Sequence, residues 1–271
     1  MLSVNTNNGA MTALQYLNST AAQLQTTETA VSTGKKISSA KDNGAIYAIA
    51  QNMRGNVAGY AAVTDSLNRG TSMVDTAISA AQSISDLLIQ MKQNALSAAD
   101  SSLDTTSRTS LANDFSAMVA QITTIVSNAS FNGVNLVNAS GSGISALASA
   151  SDASQKISVS QETLTVAKLG VGTTYSSQTT ASTMAKTVST AIATVNAALS
   201  ALSAGAKKFS IQADFVSKLS DALTTGIGNL VDANMAQESA LLTSLQTKQQ
   251  LGVQALSIAN SAPSTILSLF R

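Results

Sequence analysis

The residues of this chain that could do chemistry are acids, amines and hydroxyls. Two pairs of carboxylates lie close in sequence, Asp100 with Asp104 and Asp214 with Asp221, which is the residue type that general acid–base catalysis uses. The chain has no His and no Cys, which excludes Ser-His-Asp catalysis, Cys-His catalysis and His-ligated zinc sites within one copy. On long polar helices such acid pairs are usually solvated charges. We therefore expect no enzyme, no catalytic residue and no metal site.

The sequence has no pattern typical of binding to phosphate-containing cofactors, to nucleic acid or to membranes. Gly141-Ser142-Gly143 lacks the Lys and the following helix signature of a phosphate-binding loop, so no cofactor is expected. A net charge of +1 without clustered Lys and Arg gives no electrostatic basis for binding nucleic acid or an anionic membrane. No run of eighteen apolar residues and no basic region followed by an apolar core is present, so neither a membrane span nor a cleaved signal peptide is predicted.

The composition favours long helices. Aromatic residues are 3%, charged residues are 11%, Trp is absent and Pro occurs once, so both a bulky globular core and a heavily charged surface are missing. A single Pro leaves helices uninterrupted. The predicted fold is mainly α: a long antiparallel helical bundle or coiled coil with paired terminal helices and a small β-hairpin region.

Both ends of the chain carry an apolar stripe at helical spacing. The stripes consist of Ala10, Leu14, Leu17, Ala21, Leu24 and Val31 at one end and of Leu251, Ala255, Ile258, Ala262, Ile266 and Leu269 at the other. Few of these groups are bulky, so an isolated pair of helices would be marginally stable. The stripes can bury against each other or against neighbouring copies. We predict self-assembly through Leu14, Leu17, Leu24, Val31, Leu251, Ile258, Ile266 and Leu269.

The middle of the chain reads as a helical rod. Apolar residues recur every seven positions from Ile46 to Ala95, which predicts one helix over about 43–99, and Asp104 can cap the next. Alternation over 156–160 and 163–166 predicts a hairpin, and helical spacing from about 182 continues almost unbroken to the end. The predicted parts are 1–40 with 232–271 as inner helices, 41–130 with 182–231 as a rod, and 131–181 as a small outer hairpin and loop region.

Several short motifs occur in a fixed order along the chain. They are AQESALL at 236–242, QALSIANSAP at 254–263, ILSLFR at 266–271, SSAKD at 38–42 followed by AIA at 48–50 and Arg54, and FNGVNL at 131–136. Together these motifs resemble bacterial flagellin. The resemblance covers about residues 1–140 and 185–271. Many flagellins carry large outer domains in the middle, and this chain has room for none.

The resemblance implies a structural subunit that self-assembles into the bacterial flagellar filament outside the cell. Implied partners are other copies of the chain, a flagellar export chaperone, and the hook-filament junction and cap proteins, with export of the unfolded chain through the flagellar type III apparatus. The chaperone would bind the closing helix through Leu256, Ile266 and Leu269. Two alternatives stay open: a hook-filament junction protein and a non-flagellar secreted helical protein.

Two further features follow from the resemblance. Flagellins detected by the animal innate receptor carry the run RVRELAVQ, and a gapless alignment from Phe131 places residues 90–97 there. The leading Arg is replaced by Gln90 and the Leu by Asn94, with Lys92 and Gln93 between them, so poor detection is expected. The Ser and Thr runs at 140–154 and 173–183 are candidate acceptors for O-glycans.

Overall fold

The computed structural model describes residues 6–268 of this chain, which form a mainly helical fold. The helices are α1 (Asn8–Thr33), α2 (Gly44–Ala98), α3 (Thr105–Asn128), α4 (Val166–Leu169), α5 (Gln178–Val231) and α6 (Met235–Ser268). The strands are β1 (Ser130–Phe131), β2 (Val134–Asn135), β3 (Ile144–Leu147) and β4 (Lys156–Val159), and they form two antiparallel pairs, β1 with β2 and β3 with β4. The predicted fold class is confirmed.

The chain divides into two compact units. The first contains residues 1–55 and 222–271, and the second contains residues 56–221. Helices α2 and α5 each contribute residues to both units. The division into inner helices, rod and outer region stays a prediction.

The ends of the first three helices are fixed by a glycine, a capping carboxylate and one guanidinium group. α1 ends at Gly34, whose φ of 70° is the left-handed conformation that glycine adopts without strain. The Asp104 carboxylate accepts hydrogen bonds from the backbone N–H groups of Thr106 and Ser107 and so caps α3. The Arg108 guanidinium donates to three carbonyl oxygens, those of residues 98, 100 and 103, and thereby ties the end of α2 to the start of α3.

The predicted partner of β4 is wrong. β4 pairs with β3, in a register that places Ile144 opposite Val159, and not with residues 163–166. The latter segment lies along the loop after β2, where Leu164 N–H donates to the Val137 carbonyl, and Thr165 then caps α4. The alternation of apolar and polar residues over 163–166 reflects the burial of Leu164 among loop residues and does not indicate a paired β-strand.

Helix α5 differs from its prediction at both ends. It begins at Gln178 because Ser177 and Thr180 exchange hydrogen bonds there, with Ser177 Oγ accepting from the Thr180 N–H. It ends at Val231, so the predicted continuation into the closing helix is interrupted by three residues. The Val231 carbonyl accepts hydrogen bonds from the N–H groups of Lys36 and Ile37 at 2.7 and 3.2 Å. These bonds join the break to the segment that follows α1.

The second unit has a core built on the seven-residue repeat of α2. Leu67, Val74, Ala81, Leu88 and Ala95 are all fully buried, as the repeat predicts. They share one cluster with residues from α3 and α5, including Phe115, Ile122, Val188, Val195, Leu202 and Phe209.

One 18-residue window of α5 has a mean hydropathy of 1.3 and is 33% buried, so by length and composition alone it could cross a membrane. A single window of this kind is weak support for a span. Core helices of bundles meet the same criterion, and α5 contributes many residues to the core.

We predict that Gly205→Ala destabilises the second unit because the new methyl group would lie 2.6 and 2.7 Å from the two Val159 methyl groups of β4. Thermal unfolding followed by circular dichroism measures the effect. Val159→Ala in the same chain should restore most of the loss, since it removes both methyl groups.

The matched control is Gly55→Ala, another helical glycine, whose added methyl group meets nothing within 4 Å. It should stabilise the protein by up to about 1 kcal/mol through helix propensity alone. Equal effects of the two substitutions would contradict the close contact between β4 and α5.

Candidate self-assembly surface

Helices α1 and α6 lie side by side and contact each other through a seven-residue repeat. The least exposed residues of α6 recur at intervals that alternate between four and three: Glu238, Leu242, Leu245, Gln249, Gly252, Leu256 and Ala259. Those of α1 are Ala10, Ala13, Leu17, Thr20, Leu24, Thr27, Ala30 and Val31. We call these two sets the inner faces. At one end of the pair, the Asn7 amide nitrogen donates to the Ala259 carbonyl at 2.7 Å.

The inner faces contain many small and polar groups. Only Thr27, Ala30 and Leu245 of these helices are classed as buried among the described side chains, with 2–7% exposure. Gly252 admits the Leu17 side chain closely, since an added methyl group would lie 3.2 Å from Leu17 Cδ1. Little apolar area is therefore removed from water by this contact alone.

The structure places the predicted α1 residues on two different faces. Leu17, Leu24 and Val31 lie half-buried on the inner face, whereas Leu14 is 47% exposed on the outside. The other half of the inner face uses Ala13 and Thr20 in place of the predicted Leu14 and Ala21, and Thr27 beside Glu28. This register keeps the Glu28 carboxylate in water.

Large apolar side chains lie on the outer faces of both helices. Met11, Leu14 and Tyr16 of α1 are 47–71% exposed, and Leu241, Leu251, Val253 and Ile258 of α6 are 43–70% exposed. The predicted assembly residues Leu251 and Ile258 belong to this outer set. The side chain of Ile266 and the whole of Leu269 lie outside the described residues. A shallow groove of about 600 Å³ runs beside Tyr16, lined mainly by small residues such as Gly9, Ala13 and Ala255.

The segment of the receptor-detected run lies on α2. Gln90 and Gln93 are exposed, and Lys92 and Asn94 are half-buried. The Asn94 side-chain oxygen accepts a hydrogen bond from the Tyr175 hydroxyl. Burial raises the pKa of Tyr175 to about 12.

The carboxylates with catalytic potential act as local hydrogen-bond acceptors. Asp100 accepts from the backbone and hydroxyl of Ser102, and these bonds lower the pKa of Asp100. Hydrogen bonds from Ser107 and Thr106 likewise lower the pKa of Asp104. Asp214 is exposed on α5. Among the described residues, no group of three or more acids forms a potential metal site.

Asp42 organises the link between α1 and α2, a role that the sequence motif did not reveal. Its carboxylate accepts from the backbone N–H groups of Ser38 and Ser39 at 2.9 and 2.8 Å and from both hydroxyl groups. The backbone bond from Ser39 and the bonds from Ser38 hold the pKa of Asp42 below its ordinary value of 3.8. The negative charge is thereby favoured in the folded chain.

We predict that Asp42→Asn lowers stability in a pH-dependent way. Because the folded pKa lies below the unfolded value, the charge contributes stability above about pH 3.8 that is lost as pH falls through the folded pKa. Chemical denaturation from pH 7 to pH 2 should show the gap between wild type and variant closing below pH 3.8. Ser38→Ala removes one of the four bonds and should open a smaller gap in the same window. A gap that is constant with pH would contradict the role of the charge.

Comparisons with known proteins agree with this architecture. Residues 4–142 match the bacterial flagellin N-terminal helical region, and residues 185–270 match the bacterial flagellin C-terminal helical region. The chain is 50% identical over 271 residues to Flagellin FljM of Caulobacter vibrioides, an alignment that covers 99% of this chain and 98% of the relative. It is 38% identical to a flagellin of Brucella melitensis, with full coverage of both chains.

These matches cover both ends of the chain and nearly the full length of each relative. They favour neither a junction protein nor a non-flagellar secreted protein. Helices α1 and α6, which form the weakly buried pair, fall within the two matched regions. The chain belongs to the bacterial flagellin family and is a structural subunit of the flagellar filament.

Proposed function

We propose that the outer faces of α1 and α6 are a surface through which this flagellin polymerises. The observation that carries the proposal is the distribution of side chains between the two faces. The small and polar groups are used within the molecule, and the large apolar groups such as Leu251 and Ile258 are left in water. Large apolar side chains left in water are typical of a protein–protein contact.

The energetic argument supports another copy of the chain as the occupant. Fully burying one Leu or Ile side chain is worth about 1.5–3 kcal/mol, so covering a few such residues would add substantially to the stability of the pair. A contact between two different patches, repeated from copy to copy without closing, builds a filament. The terminal helices then reach their full stability only in the polymer.

We predict that Leu251→Ser with Ile258→Ser abolishes polymerisation or raises the critical concentration at least about tenfold, since one lost apolar contact of about 1.4 kcal/mol already changes an affinity tenfold. Sedimentation of filaments after seeding measures it. The isolated subunit should keep its helical content and unfolding temperature, because both side chains are more than half exposed.

The matched control exchanges Gln250 and Gln254 for Ser, since both are exposed polar residues on the same turns of α6. It should change the critical concentration less than about twofold. Normal polymerisation of the Leu251/Ile258 variant would show that the outer face of α6 is not an assembly surface.

We further propose that the chain leaves the cell through the flagellar type III apparatus, joins an extracellular filament between the hook-filament junction and cap proteins, and has no catalytic role. Support comes from family membership and from the use of Asp100 and Asp104 as hydrogen-bond acceptors in turns and caps. Fractionation of cells with and without the export apparatus tests this directly: the chain should accumulate inside cells that lack it.

We also propose that an export chaperone binds α6, and the position of Leu256 constrains how it could do so. Leu256, one of the three candidate residues, lies half-buried on the inner face of α6, against α1. A chaperone groove that takes Leu256 therefore has to replace α1. Chaperone binding and pairing of α1 with α6 should exclude each other.

This predicts that changing Leu256, Ile266 and Leu269 to Ser weakens chaperone binding at least about tenfold by calorimetry, with Leu251 and Ile258 intact. Deleting residues 1–33, which removes α1, should strengthen binding, because the competing contact is gone. Undiminished binding of the triple variant would place the chaperone site elsewhere in the chain.

Poor detection by the animal innate receptor is also proposed. Gln90 is exposed at the position of the leading Arg, and Asn94 is half-buried and hydrogen-bonded to Tyr175. A reporter-cell assay of wild type against Gln90→Arg with Asn94→Leu tests it, and the double variant should signal more strongly.

The candidate O-glycan acceptors include exposed Thr173, Thr174 and Ser142. Ser177 and Thr180 also fall in these runs, but each is engaged in capping α5. Intact-mass and peptide mass spectrometry of protein from its native source tests this proposal.

A further inference from the structure

Methionine is the side chain of this protein that peroxides attack most readily. The chain has eight Met and no Cys, Trp or His to compete for the oxidant. Oxidation adds an oxygen atom to the thioether and turns a flexible apolar side chain into a polar one. The consequence of the reaction therefore depends on where each sulfur lies.

The described methionines differ widely in exposure. Met11 is 61% and Met235 is 42% exposed, whereas Met91 is fully buried in the core of the second unit. The others are half-buried: Met53, Met73, Met118 and Met184. A small soluble oxidant reacts first with the most accessible sulfur, so Met11 should lead.

Two of the half-buried methionines have their terminal methyl groups packed against glycines. A methyl group added at Gly226 would lie 3.0 Å from Met53 Cε, and one added at Gly172 would lie 2.6 Å from Met184 Cε. Because Cε is bonded to the sulfur, these contacts cover one side of the thioether. The packing separates these residues further from Met11.

Met11 lies on the side of α1 that faces away from α6. It precedes Ala13 of the inner face by two positions, which is about 200° around the helix. Its neighbours on that side, Gln15 and Asn18, are exposed and polar. Solvent therefore reaches the Met11 side chain in the free subunit.

We propose that Met11 is a site of reversible oxidation by hydrogen peroxide in the free subunit, and that its sulfoxide hinders polymerisation. The proposal rests on the assembly surface proposed above, to which Met11 belongs, and adds a chemical control to it. In the reaction the Met11 sulfur attacks one oxygen of the peroxide. An S–O bond forms, the O–O bond breaks, the sulfur gives up an electron pair, and the other oxygen leaves as water.

The sulfoxide changes the surface on which another copy would pack. Its oxygen is a strong hydrogen-bond acceptor, which water solvates in the free subunit. Covering this oxygen without a new donor costs free energy, whereas covering the thioether removes apolar surface from water and is favourable. Oxidation therefore weakens the contact that unmodified Met11 stabilises.

The modification can be removed again. Two methionine sulfoxide reductases, one for each epimer of the sulfoxide, restore the thioether. The oxygen leaves as water, and a dithiol reductant is oxidised to a disulfide. Because this chain has no Cys, the reductant does not react with the chain itself.

The order of oxidation is measured by limited peroxide treatment of the full-length protein and peptide mass spectrometry. In the free subunit, Met11 should be oxidised at least about fivefold faster than Met91. In seeded filaments the Met11 rate should fall at least about fivefold, because the outer face is then covered. Equal rates for Met11 and Met91, or for Met11 in subunit and filament, would overturn the proposal.

The effect on assembly is measured as the critical concentration after the same treatment. Oxidation of wild type should raise it at least about fivefold, and both reductases together should restore it. Met11→Leu keeps an apolar group without sulfur, so this variant should polymerise equally well before and after peroxide. Met235→Leu is the matched control: it removes the other well-exposed sulfur and should stay as sensitive as wild type.

Met11→Gln tests the same effect without an oxidant, since it places a polar carbonyl on a side chain of similar length. The critical concentration should rise at least about fivefold. The subunit should keep its helical content, because Met11 is exposed. Met235→Gln should change the critical concentration less than about twofold.

Two results of the assembly experiment would contradict the proposal. One is normal polymerisation of oxidised wild type. The other is peroxide sensitivity of the Met11→Leu variant, which would place the sensitive sulfur elsewhere in the chain. Neither result affects the comparison of the unoxidised Leu251/Ile258 variant with wild type, so failure of this modification and failure of the α1–α6 assembly surface are distinguishable.

Discussion

The contact between α1 and α6 is the interaction on which the rest of this structure depends. It brings together the two ends of the chain, yet it is built from Ala, Thr, Gln and Gly as much as from Leu. Such an interface fixes the register of two helices while contributing little free energy. In the assembly proposed above, the pair would gain its remaining stability from contacts with other copies of the chain. The backbone bonds from Lys36 and Ile37 to Val231 add a fixed point at the end of the pair.

The second unit follows a different physical rule, because its stability is internal. Its helices share a continuous buried core, and the β3–β4 hairpin is seated on them by close approach. Gly59 and Gly205 give the hairpin room, and Ser66 and Gln212 bond to its backbone, at Leu147 N–H and the Ala148 carbonyl. Glycine at these two places serves contact between elements, which outweighs its cost in helix propensity.

Sequence patterns predicted the features that depend on local chemistry, such as helix caps, or on a long repeat, such as the buried side of a helix. The buried repeat of α2 and the Asp104 cap both followed from residue type and spacing. The pairing of β4 could not be predicted, because two short segments alternate equally well and only the burial of Leu164 distinguishes them. The inner face of α1 could be predicted only in part, for a similar reason. When Ala and Thr are as acceptable as Leu in a thin interface, apolarity alone does not choose between Leu14 and Ala13.

The placement of the tyrosines has a spectroscopic consequence. The chain has four Tyr and no Trp, so its intrinsic fluorescence comes from Tyr alone. Tyr175 is buried, with its ring edge-on to Phe115 at 5.3 Å between centroids, whereas Tyr16 is 71% exposed on the outer face of α1. Emission from Tyr175 reports the integrity of the second unit. Quenching of Tyr16 by a soluble quencher reports whether the outer face of α1 is covered. Folding and polymerisation can therefore be followed as separate optical signals in the unlabelled protein, with Tyr16→Phe and Tyr175→Phe to assign them.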